Sequence, residues 1–230
     1  MALLGNSPKE REIRRIIGAL TKAVCEQRIA PGTRLVEAQL VETFEANRNH
    51  VRAALQRLAL KKIVTIESNR GASISSPSVE EAHDIFTARS VIERGVIELV
   101  CHHNSPQAVK KLRHHVQHEL NTIARGVRED IITASGDFHL LLAQLSCNEV
   151  LQDLLNDLIT RSSLIIALYQ RGPALECGCD DHQELIAAIE SGDVARAIEC
   201  MKHHMDHIEA SLNLGFWKNR KVDLKEALKI

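Results

Sequence analysis

The sequence predicts a mainly α protein in two parts: a small helix-turn-helix unit ending in a β-hairpin over residues 1–76, and an all-helical bundle of about six helices over residues 77–230. Three observations carry that prediction. Apolar residues recur at helical spacing along most of the chain. Two short β-prone runs around a polar turn stand out at residues 63–75. The charge is divided, with 13 Lys and Arg against 7 Asp and Glu in residues 1–76, a net of +6, and 16 against 23 in residues 77–230, a net of −7. A basic first third joined to an acidic remainder directs only the first third toward a polyanion.

From Lys9 to Arg28, Ile13, Ile16, Ile17, Leu20 and Val24 keep helical spacing, and Pro31-Gly32 supplies the break. A second, short helix follows over 36–44, with Val36, Leu40, Val41 and Phe44 at compatible positions. Glu45-Ala46-Asn47 is a tight turn, and Asn47 is placed to cap the next helix. In that helix Val51, Ala54, Leu55 and Leu58 form one apolar stripe and leave Arg48, Asn49, Arg52 and Gln56 on other faces. Arginine and amide side chains on the first turns of a packed helix match the donors and acceptors of base edges and also reach phosphates. Taken alone, the segment reads equally as a solvated helix face. Residues 63–66 and 72–75 then form a hairpin around Glu67–Gly71, which after such a helix is a wing, with Arg70 at its tip able to reach a minor groove or a phosphate.

Ser76-Pro77-Ser78 is a short linker, and Ser78 with Glu81 makes a capping box for the next helix. Six helices are expected over 79–102, 106–124, 128–146, 149–170, 180–190 and 194–213, with Asn104-Ser105-Pro106 and Ser191-Gly192-Asp193 as the clearest junctions. Long amphipathic helices with short connections make a bundle, and bundle sites are built from side chains on facing helices. The basic tail after Leu214 is grouped with this second part and expected to be mobile or docked on a partner subunit.

No apolar run has the length of a membrane span, and the N-terminus lacks a secretory pattern, so no membrane association and a cytoplasmic location are expected. The six cysteines show no repeated spacing. Cys177-Gly178-Cys179 is the one close pair and reads as a loop, because it lacks the partner pair a structural zinc site needs.

Four polar residues fall on apolar stripes of the bundle. Arg89 shares a face with Ile85, Phe86, Ile92 and Val96. A guanidinium there needs an anion, either a bundle carboxylate in a salt bridge or the carboxylate of a ligand. His139 shares a face with Leu142 and Ser135, His182 with Leu185, Ile186 and Ile189, and His204 with Ala197, Met201 and Ile208. An inward histidine is usually a satisfied core residue. Three on separate helices also suit a metal site with an open position.

The first third resembles the winged-helix domain of GntR-type bacterial transcription regulators, through Pro31, Gly32, Leu35, Glu37, Arg48, Val51, Arg52, Ala54, Leu55 and Arg70-Gly71-Ala72. It departs at Ala46-Asn47 and Ala53, where Val-Ser and Glu are usual. The resemblance implies that Arg48 and Arg52 contact DNA, flanked by Arg34 and Arg70, with Asn49 and His50 at variable recognition positions. The second part resembles the FCD effector domain of the FadR-like subgroup, through Arg89-x-x-x-Glu93, Phe138-His139, His182, His204 and Asn148. That implies an effector site at Arg89, Ser135 and Asn148, beside a divalent metal, zinc or nickel-like, on His139, His182 and His204. Ser135 stands where the usual pattern has a metal-ligating Asp, which removes a charge from the metal's surroundings, and Asp137 points elsewhere on the helix. The expected protein is a homodimeric, non-enzymatic regulator that binds a palindromic operator in double-stranded DNA under control of a small carboxylate. The rivals are a metal-dependent hydrolase and a regulator whose bundle only dimerises.

Overall fold

The computed structural model describes residues 7–103, 105–171, 178–217 and 224–228, which fall into two compact units. Met1–Pro77 and Gly215–Ile230 belong to the first, Ser78–Leu214 to the second. Asn104 and Cys177 lie outside the described residues.

The first unit begins with α1 (Pro8–Cys25), whose orphan N-terminal amides are capped by Ser7 Oγ, which accepts from Glu10 N at 3.2 Å. The helix ends before the sequence's expected Arg28, because Gln27 turns left-handed at φ 55°. A two-residue strand β1 (Arg34–Leu35) leads into α2 (Glu37–Phe44), and Glu45 reverses the chain at φ 48°. Asn47 caps α3 (Arg48–Leu60) by accepting from Asn49 N at 2.8 Å. The hairpin is β2 (Val64–Glu67) and β3 (Gly71–Ile74), and β1 adds on the other side of β3 to give an antiparallel sheet of order β1-β3-β2. Leu40, Phe44, Val51, Ala54, Leu58, Val64 and Ile74 are buried, so α2, α3 and the wing share one core with Ile13, Ile16 and Leu20 of α1.

The tail differs from its sequence-based placement with the bundle. A short helix, α10 (Leu224–Ala227), belongs to the first unit, where Leu224, Ala227 and Leu228 are buried. Lys225 Nζ pairs with Glu42 Oε1 of α2 at 2.8 Å, and the Arg28 guanidinium donates to the Ala227 carbonyl. Two leucines one turn apart give the tail an apolar edge that is stable only when covered.

The second unit contains six described helices: α4 (Val79–His102), α5 (Pro106–Arg125), α6 (Arg128–Leu145), α7 (Glu149–Tyr169), α8 (Gly178–Ser191) and α9 (Val194–Ala210). Side chains of Ser78, Ser105, Asn148 and Asp193 cap α4, α5, α7 and α9, and Gly126 and Gly192 at φ 70° and 72° close α5 and α8. α4 packs on α7 and α9, α5 on α6 and α8, and α8 on α9. Phe86, Ile97, Leu112, Phe138 and Leu142 are fully buried between them. Gly178 and Cys179 open α8 and do not form the loop expected there. Among the described residues no helix is long and apolar enough to cross a membrane.

Candidate functional site

Two assemblies of polar residues answer to the sequence-based candidates, one in each unit. In the first, α3 exposes Arg48 and Asn49 on its opening turn and Arg52 one turn on. A groove of about 720 Å³ between α3 and the wing is lined by Arg34, Glu37, Arg52, Gln56, Asn69 and Arg70, among others. Arg34 Nη2 donates to the Arg70 carbonyl at 3.0 Å and so holds the wing tip. The cations are not loose: Arg52 Nε reaches both carboxylate oxygens of Glu37 at 2.8 and 3.0 Å, and Arg70 pairs with Glu67 at 3.2 Å. His50 behaves differently from the other candidates. It is half-buried against α1, where its Nδ1 meets the Glu12 carboxylate, and that hydrogen bond holds the Glu12 pKa below its ordinary value. His50 therefore fastens α3 to α1 while Arg48, Asn49 and Arg52 face outward.

In the second unit α6, α8 and α9 bring His139, His182 and His204 together in the interior, each at most 1% exposed. His204 Nε2 lies 3.2 Å from His182 Nε2 and 3.3 Å from His139 Nε2. Each opposite nitrogen faces a carboxylate: His139 Nδ1 lies 2.6 Å from Glu93 Oε2, His182 Nδ1 2.9 Å from Glu119 Oε2, and His204 Nδ1 3.1 Å from Asp181 Oδ2. A carboxylate oxygen accepts, so each Nδ1 carries the proton and each Nε2 lone pair faces the centre. Burial disfavours the charged rings, lowering His182 to about 3, His204 to about 4 and His139 well below 6.5. Phe138 stacks on His182 with ring centroids 3.8 Å apart and fixes its plane.

These donors fit a divalent cation. Neutral imidazoles oriented by carboxylates on their far nitrogens are the arrangement that metal-binding histidines require. Nitrogens held at about 2.0–2.1 Å from a tetrahedral ion are ~3.3–3.4 Å apart, close to the two spacings from His204, and all three ligand atoms lie within 4.8 Å of one another.

Arg89 of α4 is buried and splits its donors between Glu93 Oε1 at 2.5 Å and Ser162 Oγ at 3.2 Å. The salt-bridge reading of this arginine is thus realised, and its partner is the same carboxylate that holds His139. Arg89 also lines a cavity of about 30 Å³ with Ser135, Gly136, Ser163, Gln170 and His204. That volume is enough for about one water molecule. Asn148 is not among its lining residues; its side chain caps α7, accepting from Leu151 N at 3.1 Å.

Sequence reasoning assigned no role to Glu119, Asp181 or Gln170. Glu119 was detectable, since Leu112, Val116 and Glu119 follow one another at helical spacing on the buried face of α5. Its carboxyl is pushed up to about 7 by burial, against the pull of nearby histidines. Asp181, beside His182 in sequence, accepts from both His204 and His207, and despite the opposing effect of burial those bonds hold its pKa below the ordinary value.

Residues 84–207 match the FCD domain, and residues 12–74 match the domain described as bacterial regulatory proteins, gntR family. The HTH-type transcriptional regulator LutR of Bacillus subtilis is 24% identical over 213 residues, covering 83% of this chain and 96% of LutR. The HTH-type transcriptional repressor RspR of Escherichia coli is 23% identical over 206 residues, 89% of each chain. Among solved structures, Escherichia coli McbR/YncC aligns with a TM-score of 0.67 at 19% identity, over 90% of this chain and all but 1% of its own (99% covered). A GntR regulator from Rhodococcus sp. RHA1, described as putative, gives 0.62 at 22% identity, over 92% of this chain and 100% of its own. At these identities the solved structures speak to fold alone. Both named relatives are transcription regulators.

Proposed function

The chain belongs to the GntR family of bacterial DNA-binding transcription regulators, with an FCD domain behind its winged helix; on that premise we propose that it binds a palindromic operator as a homodimer and that a small carboxylate, held beside a histidine-bound divalent ion, sets its operator affinity. The observation that supports ligand control is the convergence of three neutral imidazoles, each backed by a carboxylate, beside a cavity lined by Arg89 and Ser135, which has to widen from its room for about one water to admit a carboxylate.

His139, His182 and His204 would hold the ion, zinc or nickel-like. Once bound, it supplies a Lewis-acidic position for one anion oxygen. Glu93, Glu119 and Asp181 keep the rings in the tautomer that presents Nε2. Arg89 offers a cationic face to a second oxygen of the same ligand. Ser135 is neutral, so the position where a carboxylate ligand would sit is left for an anionic oxygen of the effector. Ligand and ion would therefore enter as complementary charges in a dry site, where each strengthens the other's binding.

On the DNA side, α3 enters the major groove with Arg48 and Arg52, and Arg70 follows the backbone from the wing. Two copies place these helices one turn, about 34 Å, apart on an inverted repeat. A carboxylate changes DNA affinity only by favouring one placement of the two reading heads over another.

Metal analysis and footprinting test this reading together. Purified protein is expected to carry one divalent ion per chain, lost in His139→Ala, and to protect an inverted repeat upstream of its own coding region. Thermal-shift screening of small carboxylates on the ion-loaded protein then identifies the effector. Protein that takes up no divalent ion, or protection unaffected by replacing Arg48 and Arg52, overturns it.

A further inference from the structure

Leu214 is the last residue of the helical unit, and from Gly215 the chain belongs to the DNA-binding unit. The departure point is fastened to the end of α7. Gln170 and Leu212 form an isolated antiparallel bridge, and Asn213 N–H donates to the Tyr169 carbonyl at 2.9 Å. Gln170 Nε2 also donates to Ser211 Oγ at 2.8 Å, and Ser211 is the residue that ends α9, the helix carrying His204. Gln170 is 3% exposed and lines the small cavity with Arg89, Ser135 and His204. One side chain thus touches both the cavity and the point where the chain leaves the bundle.

The far end is equally defined. Leu224, Ala227 and Leu228 are buried in the DNA-binding unit, Arg28 donates to the Ala227 carbonyl, and Lys225 pairs with Glu42. Glu42 lies on α2, which packs on the recognition helix α3 and joins it through a three-residue turn. A helix of four residues has no stability of its own, so its order depends on the surface that covers it. How often it occupies that surface depends on where its other end is held, through the effective concentration that the intervening chain allows.

We propose that the C-terminal segment is a second covalent route from the cavity to the reading head, with Gln170 as the positioning residue at the cavity and Leu224–Leu228 as the end docked on the DNA-binding unit, where Lys225 ties it to Glu42 of α2. It rests on the ligand-control reading above. A ligand or ion that moves Gln170 shifts Ser211 and Leu212, and with them the origin of the tail. Docking of Leu224–Leu228 then rises or falls, and with it the Lys225–Glu42 tie to α2, the helix that packs on α3.

The test uses the full-length chain, zinc chloride as the probe, and the DNA fragment protected in footprinting. Zinc is expected to change the wild-type operator affinity by about fivefold or more. Leu224→Asp and a chain ending at Leu214 are each expected to bind zinc as the wild type does, with operator affinity no longer responding to it, and Gln170→Ala is expected to lose the same response of operator affinity. Trp217, the single tryptophan, sits in the tail, so its emission should respond to zinc in the wild type and not in Gln170→Ala. An unchanged zinc response of operator affinity in the shortened chain overturns the proposal. Hydrogen exchange separates this from failure of the ion reading, because it needs no ligand. Amides of Leu224–Leu228 that are protected in the wild type and released in Leu224→Asp support the docking end; amides that exchange at unfolded-chain rates in the wild type overturn it, whether or not zinc binds.

Discussion

Glu93 holds His139 through one carboxylate oxygen, Oε2 to Nδ1 at 2.6 Å, and gives its other oxygen to Arg89 at 2.5 Å. All three residues are buried, so the carboxylate serves both as counter-charge for the guanidinium and as the clamp that sets the imidazole tautomer. Glu93→Gln removes the first function outright and leaves the second to an amide. Breaking a buried pair in this way is expected to cost about 3 kcal/mol of stability in urea denaturation. Zinc affinity, read by titration, is expected to fall about 10–100-fold, the usual effect of losing a carboxylate behind a ligating histidine. Equal stability and equal zinc affinity in the variant would show that the carboxylate does neither.

Ser135→Asp places a carboxylate in the cavity lined by His204 and Arg89. An added anionic oxygen donor is expected to tighten zinc binding by about tenfold, roughly 1.4 kcal/mol. It should also remove any gain in zinc affinity from added acetate, since the position is then filled from within. Calorimetric zinc titrations with and without acetate measure both effects. A variant that still needs acetate contradicts the role given to Ser135.

Arg48 and Arg52 are exposed, so replacing either by Ala leaves the fold largely untouched. Operator affinity is expected to drop by about 1–3 kcal/mol for a residue that reads a base. For a residue that meets a phosphate, the loss is uniform across sequences and the salt slope falls by about one. Mobility shifts over a range of salt concentrations separate the two cases. Melting temperatures of both variants should match the wild type.

Stability of the ion-free protein should depend on pH in a direction the burial of the histidines determines. In the fold His182 and His204 titrate at about 3 and 4, and His139 is well below 6.5, whereas the unfolded chain takes up protons near 6.5. The unfolded state binds more protons as pH falls through that window, so stability is full above about 6.5 and declines toward pH 4. Glu119 acts the other way. Its native carboxyl, raised to about 7, takes up a proton that the unfolded chain accepts only near 4.5, which adds stability as pH falls between those values. One carboxyl offsets one of three histidines, so melting temperatures of chelator-treated protein are expected to fall from about pH 7.5 to pH 5. A flat profile would mean that the rings are solvated.

Much of this architecture was legible because it rests on local rules. The apolar stripe of Val51, Ala54, Leu55 and Leu58 defines α3, and the six bundle helices begin or end near the expected caps. The three histidines were legible as inward-facing residues, since helical spacing alone assigns a face. What spacing cannot give is which faces meet. Glu119 reaches His182 across 63 positions, and Gln170 reaches Ser211 across 41, contacts fixed by packing of helices and not by any local pattern. β1 was missed because two residues carry no periodicity; it exists through its pairing with β3. His50 was assigned a variable recognition position by the family resemblance, but Glu12, which holds it against α1, lies on a helix that no local pattern places beside it. The tail misled for the same reason, since its amphipathic turn does not say which unit covers it.

Arg52, Arg57 and Arg70 are each paired with a carboxylate of the same unit, Glu37, Glu10 and Glu67. These pairs act as internal counterions that a DNA phosphate or base must displace. Random duplex, which offers only a diffuse field, gains little from that exchange, whereas a site with well-placed acceptors recovers it. The reading head is therefore muted toward bulk DNA, with fewer released salt ions than its count of arginines suggests. Such a protein would spend less of its time parked on the wrong sequence, and Glu37→Gln would make it a stickier and less discriminating one.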